Sequence, residues 1–195
     1  MGEPKPLRLI LASASLGRRV LLERLGLPFQ IMPAHIEEPE TGFFDPRTMV
    51  QTVAWLKAAV VAPRVNQGLV LAADTIGWIN GHAVLKAADE DDARRILREL
   101  SGKEHELWTG VVLWRRPDDQ QIAWQEKSRV AFTGMTDDLL EQYLATRSWR
   151  GHSGAYAIKE GGDPFVRVVE GSVSNVIGLP LESLTRVLEW VKQLP

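Results

Sequence analysis

Short apolar runs alternate with helix-like apolar repeats in the first third of the chain, and this order constrains the fold most. The runs are short enough to be strands, whereas the repeats place apolar residues three and four positions apart, as on one helix face. Strands are predicted at Leu7–Leu11, Phe29–Met32 and Leu69–Ala73, with helices around Val20–Leu25 and from Asp45 or Thr48 to Val61. A strand–helix–strand–helix order of this kind predicts an α/β fold.

The rest of the chain predicts a mixed sheet with flanking helices, strongly curved or partly antiparallel rather than purely parallel. Asn80-Gly81 is the residue pair that favours a two-residue hairpin, and a turn at Pro117–Asp119 joins two longer strands. The other predicted elements are strands at Glu106–Trp114 and Ile122–Phe132, and helices at Asp89–Leu100, at Asp137–Thr146 after Thr136, and at Leu181–Leu194 after Pro180. Adjacent strands joined by short turns make this part of the sheet antiparallel.

Composition and charge exclude several classes of protein. With 195 residues, 45% apolar and 25% charged, the chain has the composition of a single globular domain, residues 1–195. The net charge of -2 gives no general attraction to nucleic acid or to anionic membranes. We find no stretch with the pattern of an export signal or a membrane helix. The lack of cysteine fits a reducing compartment, and we expect a cytoplasmic protein.

The first candidate site is the segment from Ser13 to Arg19, which follows the first predicted strand and opens the first helix. Free backbone amides at a helix start, the hydroxyl groups of Ser13 and Ser15, and the Arg18 guanidinium together suit a phosphate group. The segment does not have the spacing of a Walker loop. Serine as a helix cap and arginine as a helix surface residue remain the ordinary alternative.

The second candidate site is Asp74-Thr75, directly after the apolar run Leu69–Ala73. A carboxylate at a strand end can hold a hard metal ion or orient a water molecule, although a turn cap looks the same in sequence. Lys57, on an otherwise apolar helix face, and Lys86, after the hairpin, could each bring a positive charge to a phosphate. Glu37-Glu38 could supply further metal ligands, the alternative being an exposed acidic loop.

The histidines give no sign of a metal site. His35, His82, His105 and His152 include no pair at the spacing of helical metal ligands. We therefore expect these residues to lie at the surface or to make ordinary hydrogen bonds.

The motifs occur in one order along nearly the whole chain, from Leu9 to about Leu184. This order resembles that of the Maf nucleoside triphosphate pyrophosphatases, also called septum formation inhibitor proteins. The matching fragments are Leu11–Ser15 with Arg18, Ile36–Glu38, Ala54 with Lys57-Ala58, Ala73–Thr75, Gly81, Lys86, Leu100–Gly102, His105, Thr109-Gly110, Gly154–Tyr156, Phe165-Val166, Gly171-Ser172 and Asn175–Leu181.

The resemblance implies an elongated α/β fold like that of inosine triphosphate pyrophosphatases, with two lobes around a nucleotide cleft. It implies hydrolysis of a nucleoside triphosphate to the monophosphate and pyrophosphate, assisted by Mg²⁺ or Mn²⁺. Asp74 would orient or deprotonate the attacking water, and the metal would be held by Asp74 with Glu37 or Glu38. The substrate-binding residues would be Ser13, Ser15, Arg18, Lys57, Thr75, Lys86 and Lys159.

The departures from the family pattern leave the base preference open. Members acting on thymidine and uridine triphosphates have arginine where this chain has Gly17 and glutamine where it has Lys159, whereas Thr75 is kept. The methylguanosine-type subgroup has Asp-Gln where this chain has Asp74-Thr75. A non-catalytic, nucleotide-responsive regulator of cell division stays as the alternative function. Whether the chain forms a homodimer also stays open.

Overall fold

The computed structural model describes residues 8–38, 45–158 and 165–193. Seven strands form one sheet: β1 (Leu9–Leu11), β2 (Phe29–Ile31), β3 (Gly68–Ile79), β4 (His82–Val84), β5 (Glu104–Arg116), β6 (Gln121–Phe132) and β7 (Val166–Glu170). Six α-helices accompany them: α1 (Leu16–Glu23), α2 (Pro46–Val61), α3 (Glu90–Leu100), α4 (Asp137–Ala145), α5 (Val173–Ile177) and α6 (Leu181–Val191). The predicted mixed α/β sheet with flanking helices is confirmed. The predicted ends at Leu7 and Leu194 lie outside the described residues.

The sheet is parallel at one end and antiparallel at the other. Its strand order is β2-β1-β3-β5-β6-β7, and β4 pairs with β3. Strand β1 pairs in parallel with β2 on one side and with β3 on the other. The chain leaves β1 toward one side of the sheet to form β2, and then crosses over to form β3 on the other side of β1. The two connections therefore diverge at the carboxyl end of β1. Crevices at such points are the usual ligand sites of open α/β sheets.

Helices cover both faces of this parallel part. On one face, Leu9 and Leu11 of β1 pack in one apolar cluster with Leu21 of α1 and Leu184 of α6. On the other face, Ile10 packs in a second cluster with residues of α2. Alternate residues of a strand point to opposite faces, so the three buried residues of β1 serve both clusters.

Gly110 lets helix α2 lie directly against the sheet. A Cβ atom built on this glycine of β5 would lie 2.5 Å from the backbone oxygen of Val50, so a side chain there would push α2 away. Gly110 is also the register partner of Asp74 in β3. Lys57 lies two helical turns beyond Val50 and therefore on the same face of α2. The close approach at Gly110 thus brings Lys57 down to the strand that carries Asp74.

The antiparallel end of the sheet has its own apolar cluster. Residues of α3 and α4, such as Leu97 and Leu140, pack there with Val130 and Phe132 of β6. The predicted hairpin is confirmed: β3 and β4 are joined by Asn80-Gly81, both with positive φ angles, as the favoured two-residue turn requires.

The structure differs from the sequence prediction chiefly in β3. This strand continues from Gly68 to Ile79, so Asp74-Thr75 lies within it and not after its end. The apolar run ends at Ala73, but hydrogen bonding to the long strand β5 carries the extended backbone further. The short elements β7 and α5 were not predicted, since their apolar runs are too brief to show a period. Within the described residues, no helix has the length and apolar character needed to cross a membrane.

Candidate active site

A large open cavity of about 1310 Å³ lies beyond the carboxyl end of β1. Both candidate segments border it: the loop and first turn from Ser13 to Arg18, and Asp74-Thr75 of β3. Lys57 of α2 and Lys86 after β4 also line it. The fold therefore brings together residues that are up to 73 positions apart in the sequence, from Ser13 to Lys86.

Lys57 is the centre of a buried charge cluster. Its Nζ donates to Asp74 Oδ1 at 2.7 Å and lies 2.7 Å from Glu38 Oε1. The Lys57 and Asp74 side chains are only 10% and 8% exposed, whereas that of Glu38 is 43% exposed. Burial alone would raise the pKa of Glu38, but the hydrogen bond and charge of Lys57 outweigh it and lower that pKa. Two carboxylates thus converge on one cation.

Arg18 is anchored at three points. Its Nε donates to the carbonyl of Gly178 at 2.8 Å, Nη1 to Ser13 Oγ at 3.3 Å and Nη2 to Thr75 Oγ1 at 3.1 Å. Burial lowers the pKa of Arg18, while Asp74 and Glu38 act in the opposite direction. A guanidinium remains charged in proteins. The loop after β1 is consequently tied to β3 and to the end of α5 by one cation.

The hydroxyl groups of Thr75 and Thr109 form a chain with only one possible direction of donation. Thr109 Oγ1 donates to the carbonyl of Asn175 at 3.1 Å, which uses its single proton. The contact of 2.9 Å between Thr75 and Thr109 must then have Thr75 as donor. Thr75 in turn accepts from Arg18, since a guanidinium can only donate. Thr75 therefore links Arg18 to strand β5.

Ser15 caps helix α1, which is the ordinary alternative that the sequence left open. Its Oγ accepts from the backbone N–H of Arg18 at 3.4 Å, and its own N–H donates to Ser13 Oγ at 3.2 Å. Both serines also line the cavity, so the cap and the candidate phosphate site coincide.

Several predicted residues stand apart from this cluster. Glu37 is exposed, and it is not among the described residues that line the cavity. Arg19 lies on the surface of α1, where it pairs with Glu23 at 2.8 Å. Lys159 lies outside the described residues. Gly17 lines the cavity, and a Cβ atom there would meet Ile177 Cγ2 at 3.0 Å, so a larger side chain requires Ile177 to move.

The donor set suits a hard divalent cation shared with a phosphorylated ligand. Within the part of the chain that the structure describes, no group of three or more acidic or histidine side chains could hold a metal alone. Glu38 and Asp74 nevertheless meet at the same nitrogen, and one or two carboxylates plus substrate phosphates are the usual ligands of Mg²⁺. The residues therefore fit a metal that arrives with its substrate.

Sequence reasoning assigned no role to Thr109, Asn175, Gly178 or Ser153. Thr109, Asn175 and Gly178 appear in the matching fragments. Thr109 contacts Thr75 through its hydroxyl, whereas Asn175 accepts from Thr109 and Gly178 accepts from Arg18, both through backbone carbonyls. Every residue has a backbone carbonyl, so the residue type does not indicate that such a contact exists. Ser153 Oγ donates to the carbonyl of Thr75 at 3.1 Å, a contact between residues 78 positions apart.

The fold and the site define an α/β protein with an open cavity at the carboxyl end of its first strand, beside a buried lysine–carboxylate cluster. The chain belongs to the Maf-like protein family, whose family model matches residues 8–191.

Curated relatives match nearly the full chain. A protein of Pelotomaculum thermopropionicum named dTTP/UTP pyrophosphatase is 38% identical over 93% of this chain and 95% of its own length. A protein of the same name from Rhodopirellula baltica is 38% identical over 98% of this chain and 86% of its own. Another, from Carboxydothermus hydrogenoformans, is 36% identical over 94% of this chain and 99% of its own.

Among solved structures, the Ham1 protein of Staphylococcus aureus aligns with a TM-score of 0.47 and 14% identity. The alignment covers 65% of this chain and 72% of that one.

Proposed function

We propose that this protein is a nucleoside triphosphate pyrophosphatase, which hydrolyses a nucleoside triphosphate to the monophosphate and pyrophosphate. The observation that carries the proposal is the contact between Lys57 and Asp74, a buried carboxylate held by a lysine in the same cavity as an arginine-anchored helix start. The curated relatives, named dTTP/UTP pyrophosphatase, make dTTP and UTP the first substrates to test.

Asp74 is the residue assigned to the attacking water. The carboxylate accepts the hydrogen bond of water, or its proton, while the water oxygen attacks the α-phosphorus. The bond from the α-phosphorus to the bridging oxygen breaks, and pyrophosphate leaves with the electron pair. Because the Lys57 ammonium donates to Oδ1, the carboxylate has a fixed orientation toward the cavity.

The triphosphate is assigned to the cationic and hydroxyl side chains of the cavity, namely Ser13, Ser15, Arg18, Lys57 and Lys86. Lys57 has two carboxylate partners in the free protein, so a phosphate that approaches it competes with Glu38, the more exposed of the two. The exchange leaves Asp74 in place while Glu38 is freed to serve as a ligand.

A divalent cation, Mg²⁺ or Mn²⁺, would be held by Asp74 and Glu38, with Glu37 as a further candidate. When bound, such a cation neutralises phosphate charge and polarises the reacting phosphorus. The role of this chain is to offer two carboxylates on one side of the ligand and Lys57, Lys86 and Arg18 around it.

The test is pyrophosphate release from ordinary, methylated and deaminated nucleoside triphosphates with Mg²⁺ or Mn²⁺. In Asp74→Asn we expect kcat to fall about a thousandfold, since the amide cannot accept the proton of water. Asp91→Asn, which changes an aspartate whose side chain is 95% exposed on α3, is the matched control and should retain full activity.

Two outcomes would contradict the proposal. Full activity in Asp74→Asn would remove Asp74 from the chemistry. Nucleotide binding without turnover of any substrate would instead support the alternative, a nucleotide-responsive regulator of cell division.

A further inference from the structure

The segment Gly151–Ser153 lines the cavity and is fixed to the residues that carry the site. Ser153 pairs with Lys86 through an antiparallel backbone bridge, and its Oγ donates to the carbonyl of Thr75. A tight turn follows, in which the Ala155 N–H donates to the carbonyl of His152 at 3.1 Å. His152 therefore has a defined place in the cavity wall, next to the residue that Lys86 pairs with.

Most of the cationic side chains around the cavity already have acidic or carbonyl partners. Arg18 donates to Gly178, Ser13 and Thr75, and Lys57 lies between Glu38 and Asp74, as described above. The charges of Arg18 and Lys57 are instead offset by the nearby carboxylates of Asp74 and Glu38, so α1 and α2 contribute little net positive charge to the cavity.

The wall formed by α3 and β4 is also locally compensated. Arg95 lies 2.7 Å from Asp92 and 3.7 Å from Glu99, and Glu99 lies 2.9 Å from the His82 ring. Lys86 differs from these residues, since no acidic side chain in the described ranges lies within ion-pair distance of its ammonium group. An anion that enters the cavity is therefore attracted first to the Lys86 side.

His152 lines the same cavity and adjoins Ser153, the backbone partner of Lys86. Although His152 is exposed, partial desolvation of its imidazole in the cavity wall lowers the pKa of the ring, and the charge of Lys86 lowers it further. Both effects favour the neutral ring in the free protein. A polyphosphate near Lys86 would reverse the sign of the local potential and favour the imidazolium form.

We propose that His152 is a further phosphate-binding residue, which takes up a proton and pairs with the triphosphate when a nucleotide occupies the cavity beside Lys86. This inference rests on the proposed function, since it requires a polyphosphate ligand. Its consequence is that nucleotide affinity depends on pH through a residue that lies outside the lysine–carboxylate cluster.

The sign of the pH dependence follows from linkage. Below the pKa of the free protein, His152 is charged in both states, and above the pKa of the complex it is neutral in both. Between these two values, binding takes up a proton, so affinity falls as the pH rises through this window. KM should rise with it by several-fold, up to about tenfold per pH unit.

The test is calorimetric titration with the α,β-imido analogue of dTTP in excess MgCl₂ at pH 7, in HEPES and in Tris. The two buffers differ in ionisation enthalpy, so the difference in apparent binding enthalpy gives the number of protons taken up. Wild type should take up at least about half a proton more than His152→Gln. Protons linked to other cavity residues are common to both proteins and cancel in this difference.

Two further variants separate the role of His152 from a structural one. His152→Lys supplies a permanent cation and should bind the analogue without the extra proton, with an affinity that stays constant where that of wild type falls. His35→Gln removes an exposed histidine outside the described cavity lining and should match wild type. Circular dichroism and the thermal midpoint establish that each variant is folded.

The outcomes distinguish the two proposals. Equal proton counts in wild type and His152→Gln would overturn the role of His152, even when pyrophosphate is released normally. Proton-linked binding in a protein that never releases pyrophosphate would overturn the proposed function and leave His152 as a binding residue. If the analogue does not bind at all, both proposals fail.

Discussion

Two groups of ion pairs in this protein have nearly the same geometry and very different surroundings. In the site, Lys57 lies 2.7 Å from Asp74, with both side chains at most 10% exposed. On the surface of α3 and α4, Arg94 lies 2.5 Å from Asp91 and 2.8 Å from Glu141, and those two carboxylates are 95% and 53% exposed. If strength were judged from distance alone, the surface ion pairs would be considered at least as strong as the buried pair.

Burial, and not distance, separates the two groups of ion pairs, and the buried pair is the one that we propose takes part in the reaction. An exposed ion pair is screened by water and contributes little, whereas a buried charge that loses its partner keeps its full desolvation cost. Buried charges are therefore retained where they do something that apolar residues cannot. In this chain the buried pair lies in the cavity and the exposed cluster lies on helix surfaces.

Among the changes that test this comparison of ion pairs, the largest effect is expected from Lys57→Met. Removing the ammonium leaves Asp74 and Glu38 without the cation that lies between them. The carboxylate that we propose activates water then loses its orientation, and the proposed triphosphate site loses a cation. We expect kcat/KM to fall about a hundredfold or more, which corresponds to about 3 kcal/mol.

Lys127→Met is the matched control for Lys57→Met. Lys127 lies 3.3 Å from Glu106 with a side chain 36% exposed, and it is not among the described residues that line the cavity. Equal losses in the two variants would mean that burial does not separate functional from ordinary lysines here.

The next largest effect is expected in the pH dependence of stability, through the buried side chain of His105. His105 is 3% exposed, and burial lowers its pKa to about 4. Its folded-state pKa lies below the unfolded value, so the unfolded chain binds more protons as the pH falls below about 6.5. The stability contributed by neutral His105 is present above that pH and is lost toward pH 4. We expect a loss of about 2 kcal/mol between pH 8 and pH 5.

Urea unfolding at both pH values, in wild type and in His105→Gln, measures this contribution as a difference between the two proteins. His35→Gln, which changes an exposed histidine, should keep the wild-type pH dependence. If wild type and His105→Gln lose the same stability on acidification, His105 is not the buried group that opposes protonation.

A smaller effect is expected from Thr109→Val, which keeps the shape of the side chain but removes its hydroxyl. The carbonyl of Asn175 then loses a donor and Thr75 loses its acceptor, both in the protein interior. We expect the free energy of unfolding to fall by about 1–2 kcal/mol. Thr146→Val, at an exposed hydroxyl after α4, should change it less. Equal changes would show that the hydroxyl chain adds nothing specific.

The smallest effect is expected from Glu141→Gln. This change removes a short ion pair with Arg94, but water and Asp91 replace the lost partner. We expect unchanged kcat/KM and a thermal midpoint within experimental error of wild type. A clear loss of stability would show that the surface cluster acts as a cooperative network and would weaken the distinction drawn from burial.

Much of the framework could be predicted because it depends on local physics. Asp45 caps α2, Asp89 caps α3 and Thr136 caps α4, each through a side chain that accepts from a backbone N–H three residues later. The length of β3 could not be predicted in this way. Its second half is extended because it pairs with β5, about 30 residues further along the chain.

The sequence by itself determined the alternation of strands and helices, the helix caps, the hairpin turn, and the choice of Asp74, Lys57, Arg18 and Lys86 as chemical groups. Tertiary structure alone decided that Lys57 meets both Asp74 and Glu38, that Thr75 lies between Arg18 and Thr109, and that His152 and Lys86 line the same cavity. The physical reason is the distance along the chain over which each kind of interaction acts. Backbone propensity and capping act over a few residues, whereas burial and charge pairing depend on which distant segments the sheet register brings together.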